Sequence, residues 1–120
     1  WLPMLLRGMQ LDQSVSLVNP YKRYGSCTTM HEVASFCLSL ITNRDSLPLN
    51  SIYPLGAVPD MTIMAIFRTL VSYTGYQKDP IVTHNDSPSL YIDSSNAESF
   101  GYNPPLTSKA INFWLSNLNP

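Results

Sequence analysis

Apolar and polar positions along this chain alternate between a helical and an extended period. Leu2, Leu5, Leu6 and Met9 recur at helical spacing and predict a helix near residues 2–11 in spite of Gly8. Val15–Val18 then reads as a short strand and Tyr24–Thr28 as another. Thr29 and Glu32 stand three apart, the spacing of a capping box in which hydroxyl and carboxylate each satisfy a free N–H. Behind it Val33, Ala34, Phe36, Cys37, Leu40 and Ile41 form a stripe that predicts a helix of about three turns, ending near Asn43 and Asp45. Leu49–Leu55 reads as a strand closed by Gly56. Asp60 is placed to cap a second strong helix, with Met61, Ile63, Met64, Ile66, Phe67, Leu70 and Val71 as its buried side and Gly75 as its stop. Pro80–Thr83 is a short extended piece, and 86–89 is a turn.

The last stretch is the most distinctive. Asp93 can start a short helix, Gly101 can end it in a left-handed turn, and Pro104-Pro105 forbids its continuation. Thr107 can then cap a final helix that buries Ile111, Phe113 and Trp114. The element order, helices interspersed with a few short strands, predicts a mixed α/β fold.

At 120 residues the chain is expected to form one domain, a single lobe over residues 1–120. Charged residues make up 12% of it, against roughly 25% in ordinary domains. Either Ser, Thr and Asn replace the missing charge, or the lobe packs on a partner that covers part of its surface. A net charge of −1 and no basic cluster beyond Lys22-Arg23 argue against nucleic acid. No apolar run is long enough to span a membrane, and residues 1–6 lack the basic region and cleavage site of a signal peptide. Two cysteines, Cys27 and Cys37, fit a reducing compartment, so cytoplasm is expected, with both thiols buried and inert. The start at Trp1 points to a fragment of a longer chain.

Met30-His31-Glu32-Val33-Ala34, Tyr53-Pro54-Leu55-Gly56, Met61-Thr62-Ile63-Met64-Ala65-Ile66 and the run Asp93 to Pro104 occur in a particular order and spacing. In that order they resemble the "V-x-D-V-A", "Y-N-L-G", "T-I-x-E-L" and "D-x-S-K-A-x-x-L-G-W-x-P" blocks in the C-terminal part of extended short-chain dehydrogenases/reductases, the NAD-dependent epimerase/dehydratase family. The resemblance covers nearly the whole chain. It implies the substrate-binding C-terminal lobe of a Rossmann-type enzyme that uses NAD or NADP and acts on a sugar nucleotide or similar hydroxylated substrate. The upstream half would carry the cofactor loop and the catalytic tyrosine and lysine. This chain holds no G-x-G-x-x-G, and no tyrosine has a lysine four residues on, so no cofactor site and no catalytic residue is assigned to it.

The resemblance also implies arginines that grip the substrate, and at their places stand Gly25 and Ser89; the asparagine of "Y-N-L-G" is replaced by Pro54. The loss removes bidentate phosphate contacts. Lys22 and Arg23, flanked by Tyr21 and Tyr24, are the substitutes, able to hold an anionic group while an aromatic ring stacks on a base or sugar. A solvated loop explains the same residues. Asn50 and Tyr53 lie where the family's substrate pocket opens, against strand packing as the alternative. The candidate substrate-binding set is therefore Lys22, Arg23, Tyr24, Asn50 and Tyr53. His31 and Glu32 are explained by the helix start, and His84, Asp86 and Asp93 lack the convergent spacing of a metal site.

The expected partners are the N-terminal Rossmann portion, in the same or a separate chain, and a small-molecule substrate, with oligomers through exposed apolar surface as a further option. Two alternatives stay open. One is the C-terminal part of a thioester reductase domain that releases a carrier-bound acyl chain, and the other is a non-catalytic interaction domain.

Overall fold

The computed structural model describes residues 1–48, 51–86 and 90–118. The chain divides into two compact units, Trp1–Arg23 with Met61–Ser89, and Tyr24–Asp60 with Leu90–Pro120.

In the first unit α1 (Leu2–Gln10) faces α3 (Ile63–Thr74), and a two-stranded parallel sheet pairs β1 (Ser16–Val18) with β4 (Ile81–Thr83). Its register sets Ser16 opposite Ile81, Leu17 opposite Val82 and Val18 opposite Thr83. Leu5, Leu6 and Met9 of α1 are buried, as are Leu17 and, on α3, Ile63, Ile66, Phe67 and Leu70. These are the positions that helical spacing singles out. Tyr76 closes this core, its ring edge-on to Phe67 at 6.3 Å and its hydroxyl donating to the Gln13 carbonyl at 2.7 Å. Thr62, in β3 (Met61–Thr62), caps α3 by accepting the Ala65 N–H at 3.1 Å. The expected cap, Asp60, does not serve this helix. Gly75 ends α3 at φ 73°, a left-handed turn open to glycine without strain.

In the second unit Tyr24 and Gly25 of β2 (Arg23–Gly25) pair in parallel with Leu90 and Tyr91 of β5 (Leu90–Tyr91). Thr29 caps α2 (Met30–Thr42), accepting the Glu32 N–H at 3.4 Å, as the sequence predicts. A 3₁₀ turn, Arg44–Ser46, follows. The short α4 (Ser95–Glu98) begins where the Asp93 carboxylate accepts the Ser95 N–H at 3.0 Å, and Gly101 turns left-handed at φ 97°. The last helix is α5 (Thr107–Ser116).

Several expectations are corrected here. Of the α2 stripe only Phe36 is buried; Ala34, Cys37 and Ile41 are exposed, so Cys37 is not the buried thiol expected. The reason is that α2 meets its own unit along one narrow line through Phe36, which packs with Tyr53 and Tyr102. On α5 the buried side is Thr107, Ala110, Ile111 and Leu115, while Phe113 is exposed. Thr107 does not cap this helix: its hydroxyl reaches the Tyr24 carbonyl at 2.6 Å, and Asp60 takes over the first turn by accepting from the Ser108 N–H and hydroxyl. The strand expected over Leu49–Leu55 does not form over its described part, 51–55, because this segment is held from the side by the tail rather than by a ladder.

Candidate functional site

The tail block and the Tyr53–Gly56 segment meet in the second unit. The Ser94 hydroxyl accepts the Gly56 N–H at 2.8 Å, and the Tyr102 hydroxyl donates to the Gly56 carbonyl at 2.7 Å. Because that phenol has one proton, the 2.7 Å bond between Tyr102 and Thr28 must have Thr28 as donor. Burial pushes the Tyr102 phenol up, opposed by the bond to Thr28. The peptide groups around Gly56 are thus bound by two side chains from the tail. Glycine is required there: a Cβ at position 56 would lie 2.8 Å from the Ile92 Cβ and 2.9 Å from the Gly25 carbonyl.

Gly25 is equally enclosed. A Cβ at this position would lie 2.6 Å from the Ala57 carbonyl oxygen, whose own residue donates its N–H to Gly25 at 2.9 Å. Position 25, where the resemblance implies an arginine, has no room for any side chain in this backbone arrangement.

An aromatic cluster lies beside these contacts. Phe36 packs edge-on against Tyr53 and Tyr102, both at 5.6 Å, and Tyr53 packs edge-on against Phe100 at 5.4 Å. The Tyr53 hydroxyl is buried with no hydrogen-bond partner among the described residues. Glu32 carries a second such atom. Its N–H completes half of the capping box, but Oε2 is buried and has no partner among the described residues. Glu32 also lines a small pocket of about 230 Å³ with Thr29, His31, Pro105, Lys109, Ala110 and Phe113.

The sequence-derived candidates are distributed as follows. Lys22 and Arg23 belong to the first unit, where the Pro20 and Lys22 carbonyls accept the N–H groups of Met64 and Ile63 at the start of α3. Of the flanking tyrosines, Tyr21 is exposed, whereas Tyr24 is buried and donates its hydroxyl to Ser26 at 2.9 Å. Tyr24 and Tyr53 belong to the second unit, Tyr24 bonded through its carbonyl to Thr107 and Tyr53 inside the aromatic cluster. Asn50 lies outside the described residues. Sequence reasoning missed Ser94 and Tyr102 as the side chains that fix Gly56, and Thr28, which donates to Tyr102. Their signal was present only as chain position, Ser94 standing at the unspecified place of the "D-x-S-K-A" block.

The remaining polar groups are held by local structure. Burial, the largest single influence, pushes the Asp60 carboxyl up, but hydrogen bonds from the Ser108 hydroxyl and from the backbone of Ser108, Asp60 and Thr107 together outweigh it and hold the carboxylate below its ordinary value. Burial raises the Cys27 thiol, opposed by Thr107. Among the described residues no group of three or more His, Cys, Asp or Glu is placed to hold a metal ion, and no helix is long and apolar enough to cross a membrane. At the starts of α2 and α3 one N–H each is taken by the capping threonine, Thr29 and Thr62.

The fold is similar to that of a solved UDP-glucose 4-epimerase from Thermotoga maritima, determined with UDP-glucose. The TM-score is 0.61 at 17% identity, over 97% of this chain and 39% of that one. The likeness bears out the mixed α/β fold expected from the sequence. No family model matches the sequence, and no curated protein matches it. The chain therefore spans 39% of the length of the structural relative, and what the two share at this identity is the fold.

Proposed function

We propose that this chain is the substrate-binding lobe of an NAD(P)-dependent epimerase, dehydratase or reductase acting on a sugar nucleotide or a similar hydroxylated substrate. The observation that carries the reading is the structural likeness over 97% of the chain to part of an epimerase determined with UDP-glucose. The meeting of two family-like blocks at Gly56 supports it. The nicotinamide cofactor would supply hydride chemistry from the remaining portion of the parent protein. The contribution of this chain is orientation, holding a substrate so that the correct carbon faces the cofactor.

Lys22 and Arg23 are the proposed contacts for an anionic group, with Tyr24, Asn50 and Tyr53 as the other substrate-binding residues. The unpaired Tyr53 hydroxyl supports its place in this set, since a buried hydroxyl without a partner is costly unless a ligand or movement satisfies it. The enclosed Gly25 favours one alternative within the same architecture. With no guanidinium there, a diphosphate loses a bidentate partner, and the phosphopantetheine arm of a thioester reductase, which presents less charge, becomes the second reading.

Intact-mass analysis of the natural product, together with the sequence upstream of Trp1, tests the proposal. A longer precursor with a glycine-rich loop that binds NAD(H) and UDP-glucose by calorimetry is the expected result. A natural product near 13.4 kDa that binds neither refutes it.

A further inference from the structure

Glu32 stands where the carboxylate of a capping box bonds back to the N–H of the cap residue. Here only the reverse bond forms, Thr29 accepting the Glu32 N–H, and among the described residues the carboxylate makes no hydrogen bond or ion pair. Its Oε2 is buried. Phe36, the buried residue of α2, comes four positions later, so Glu32 lies on the face that α2 turns to its own unit. The Glu32 side chain lines the cavity of about 230 Å³ to which α5 contributes Lys109, Ala110 and Phe113. Lys109 and Phe113 are four apart and share a face; Ala110 is buried and Phe113 half-exposed. Lys109 likewise makes no ion pair among the described residues. A carboxylate and an ammonium therefore line one cavity without meeting, which sets them more than about 4 Å apart.

We propose that this cavity binds a free α-amino acid with an apolar or aromatic side chain, its ammonium on Glu32 and its carboxylate on Lys109. The site stands independently of the function proposed above. Charge decides the class of ligand. A lone cation would satisfy Glu32 but face the Lys109 ammonium, and a lone anion would satisfy Lys109 but face the Glu32 carboxylate, so each meets a like charge. A zwitterion answers both. It also supplies the donor that the Glu32 carboxylate lacks, which a partly buried carboxylate needs if its desolvation is not to be a net cost. The last torsion of a glutamate is broad and two-fold, so either oxygen can turn to the ammonium. Size narrows the class further: the cavity has room for about seven waters, which suits one amino acid and not a nucleotide sugar. Pro105, Ala110 and Phe113 give it apolar walls, and the half-exposed Phe113 ring can take a second ring edge-on.

Calorimetric titration of the full-length protein tests the site with L-phenylalanine, phenylpropionate, which lacks the ammonium, and phenylethylamine, which lacks the carboxylate. L-phenylalanine is expected to bind with a Kd at or below about 1 mM, and each analogue at least about tenfold more weakly. Glu32→Gln should weaken L-phenylalanine at least about tenfold and leave phenylpropionate unchanged, whereas Lys109→Met should weaken both. Neither side chain makes a bond that holds the fold, so both variants should keep their thermal midpoint within about 2 °C of the parent sequence. The analogue series decides the matter in the unaltered protein even where a variant does not fold. Absence of L-phenylalanine binding overturns the proposal. So do analogues that bind as tightly as the amino acid, and so does binding that neither folded variant weakens.

Discussion

Two tyrosines in the same aromatic cluster should respond with opposite sign to loss of a single oxygen. Tyr102 donates to the buried Gly56 carbonyl and accepts from Thr28, both at 2.7 Å. Tyr102→Phe keeps the edge-on packing against Phe36 but leaves that carbonyl and the Thr28 hydroxyl without a partner. An orphaned buried polar group costs about 1–3 kcal/mol, so the variant should lose about 2 kcal/mol. At about 4 °C per kcal/mol for a chain of this size, the thermal midpoint should fall by about 8 °C.

Tyr53→Phe removes a hydroxyl that is buried and has no partner among the described residues, so no bond is lost and a desolvation cost is relieved. The expected change is between zero and a gain of about 1 kcal/mol, or up to about 4 °C. Thermal and urea unfolding of both variants, followed by circular dichroism, measure the pair against the parent sequence. Shifts of the same sign, or a Tyr102→Phe midpoint within about 1 °C of the parent sequence, would refute the assignment of these hydroxyls. Under the proposed function, Tyr53→Phe should also weaken UDP-glucose binding by the parent protein while stability holds, as calorimetry will measure.

Gly25→Ala should destabilise by about 1–3 kcal/mol, since its Cβ meets a backbone carbonyl that cannot rotate away; equilibrium unfolding in urea checks this. Asp60→Ala should cost about 1 kcal/mol at neutral pH through loss of the first-turn bonds to Ser108, read from the thermal midpoint. The Asp60 carboxylate lies below its ordinary 3.8 when folded, so its contribution is present above that value and disappears as pH falls through the lower folded value; Asp60→Asn should flatten the acid limb of a stability-against-pH curve. Cys27, half-buried with a raised thiol pKa, should alkylate at pH 8 at least about tenfold more slowly than exposed Cys37, as mass spectrometry of labelled peptides will show.

Local signals were legible in the sequence where local physics decides the outcome. The Thr29 cap, the Ile63–Leu70 face of α3 and the left-handed glycines 75 and 101 form as expected, because each depends on residues within a turn of one another. Asp60 shows where this stops. Its position ahead of α3 is that of a helix cap, yet Thr62 performs that task and the Asp60 carboxylate bonds to Ser108, 48 residues away. The α2 stripe fails for a related reason: periodicity tells which side is apolar, but not whether anything in the same unit covers it. For the candidate site, Lys22 and Arg23 could be picked out by charge. The network at Gly56 could not, since Ser94, Tyr102 and the Thr28 that supports Tyr102 gain their roles only when distant segments meet.

The arrangement around Gly56 also bears on what kind of chemistry this chain can perform. Three buried hydroxyl residues of the second unit, Ser94, Tyr102 and Thr107, are each already bonded to backbone, at Gly56 N–H, Gly56 carbonyl and Tyr24 carbonyl respectively. A group acting as acid, base or nucleophile must be able to exchange its proton with a substrate, whereas these are held by bonds whose loss would open the unit. Raising the Tyr102 phenol by burial moves it further from ionisation at neutral pH, the opposite of what a catalytic tyrosine needs. The bonded hydroxyls of this unit therefore work as a frame that fixes backbone segments; under the proposed function, the groups that perform the chemistry lie elsewhere in the parent protein.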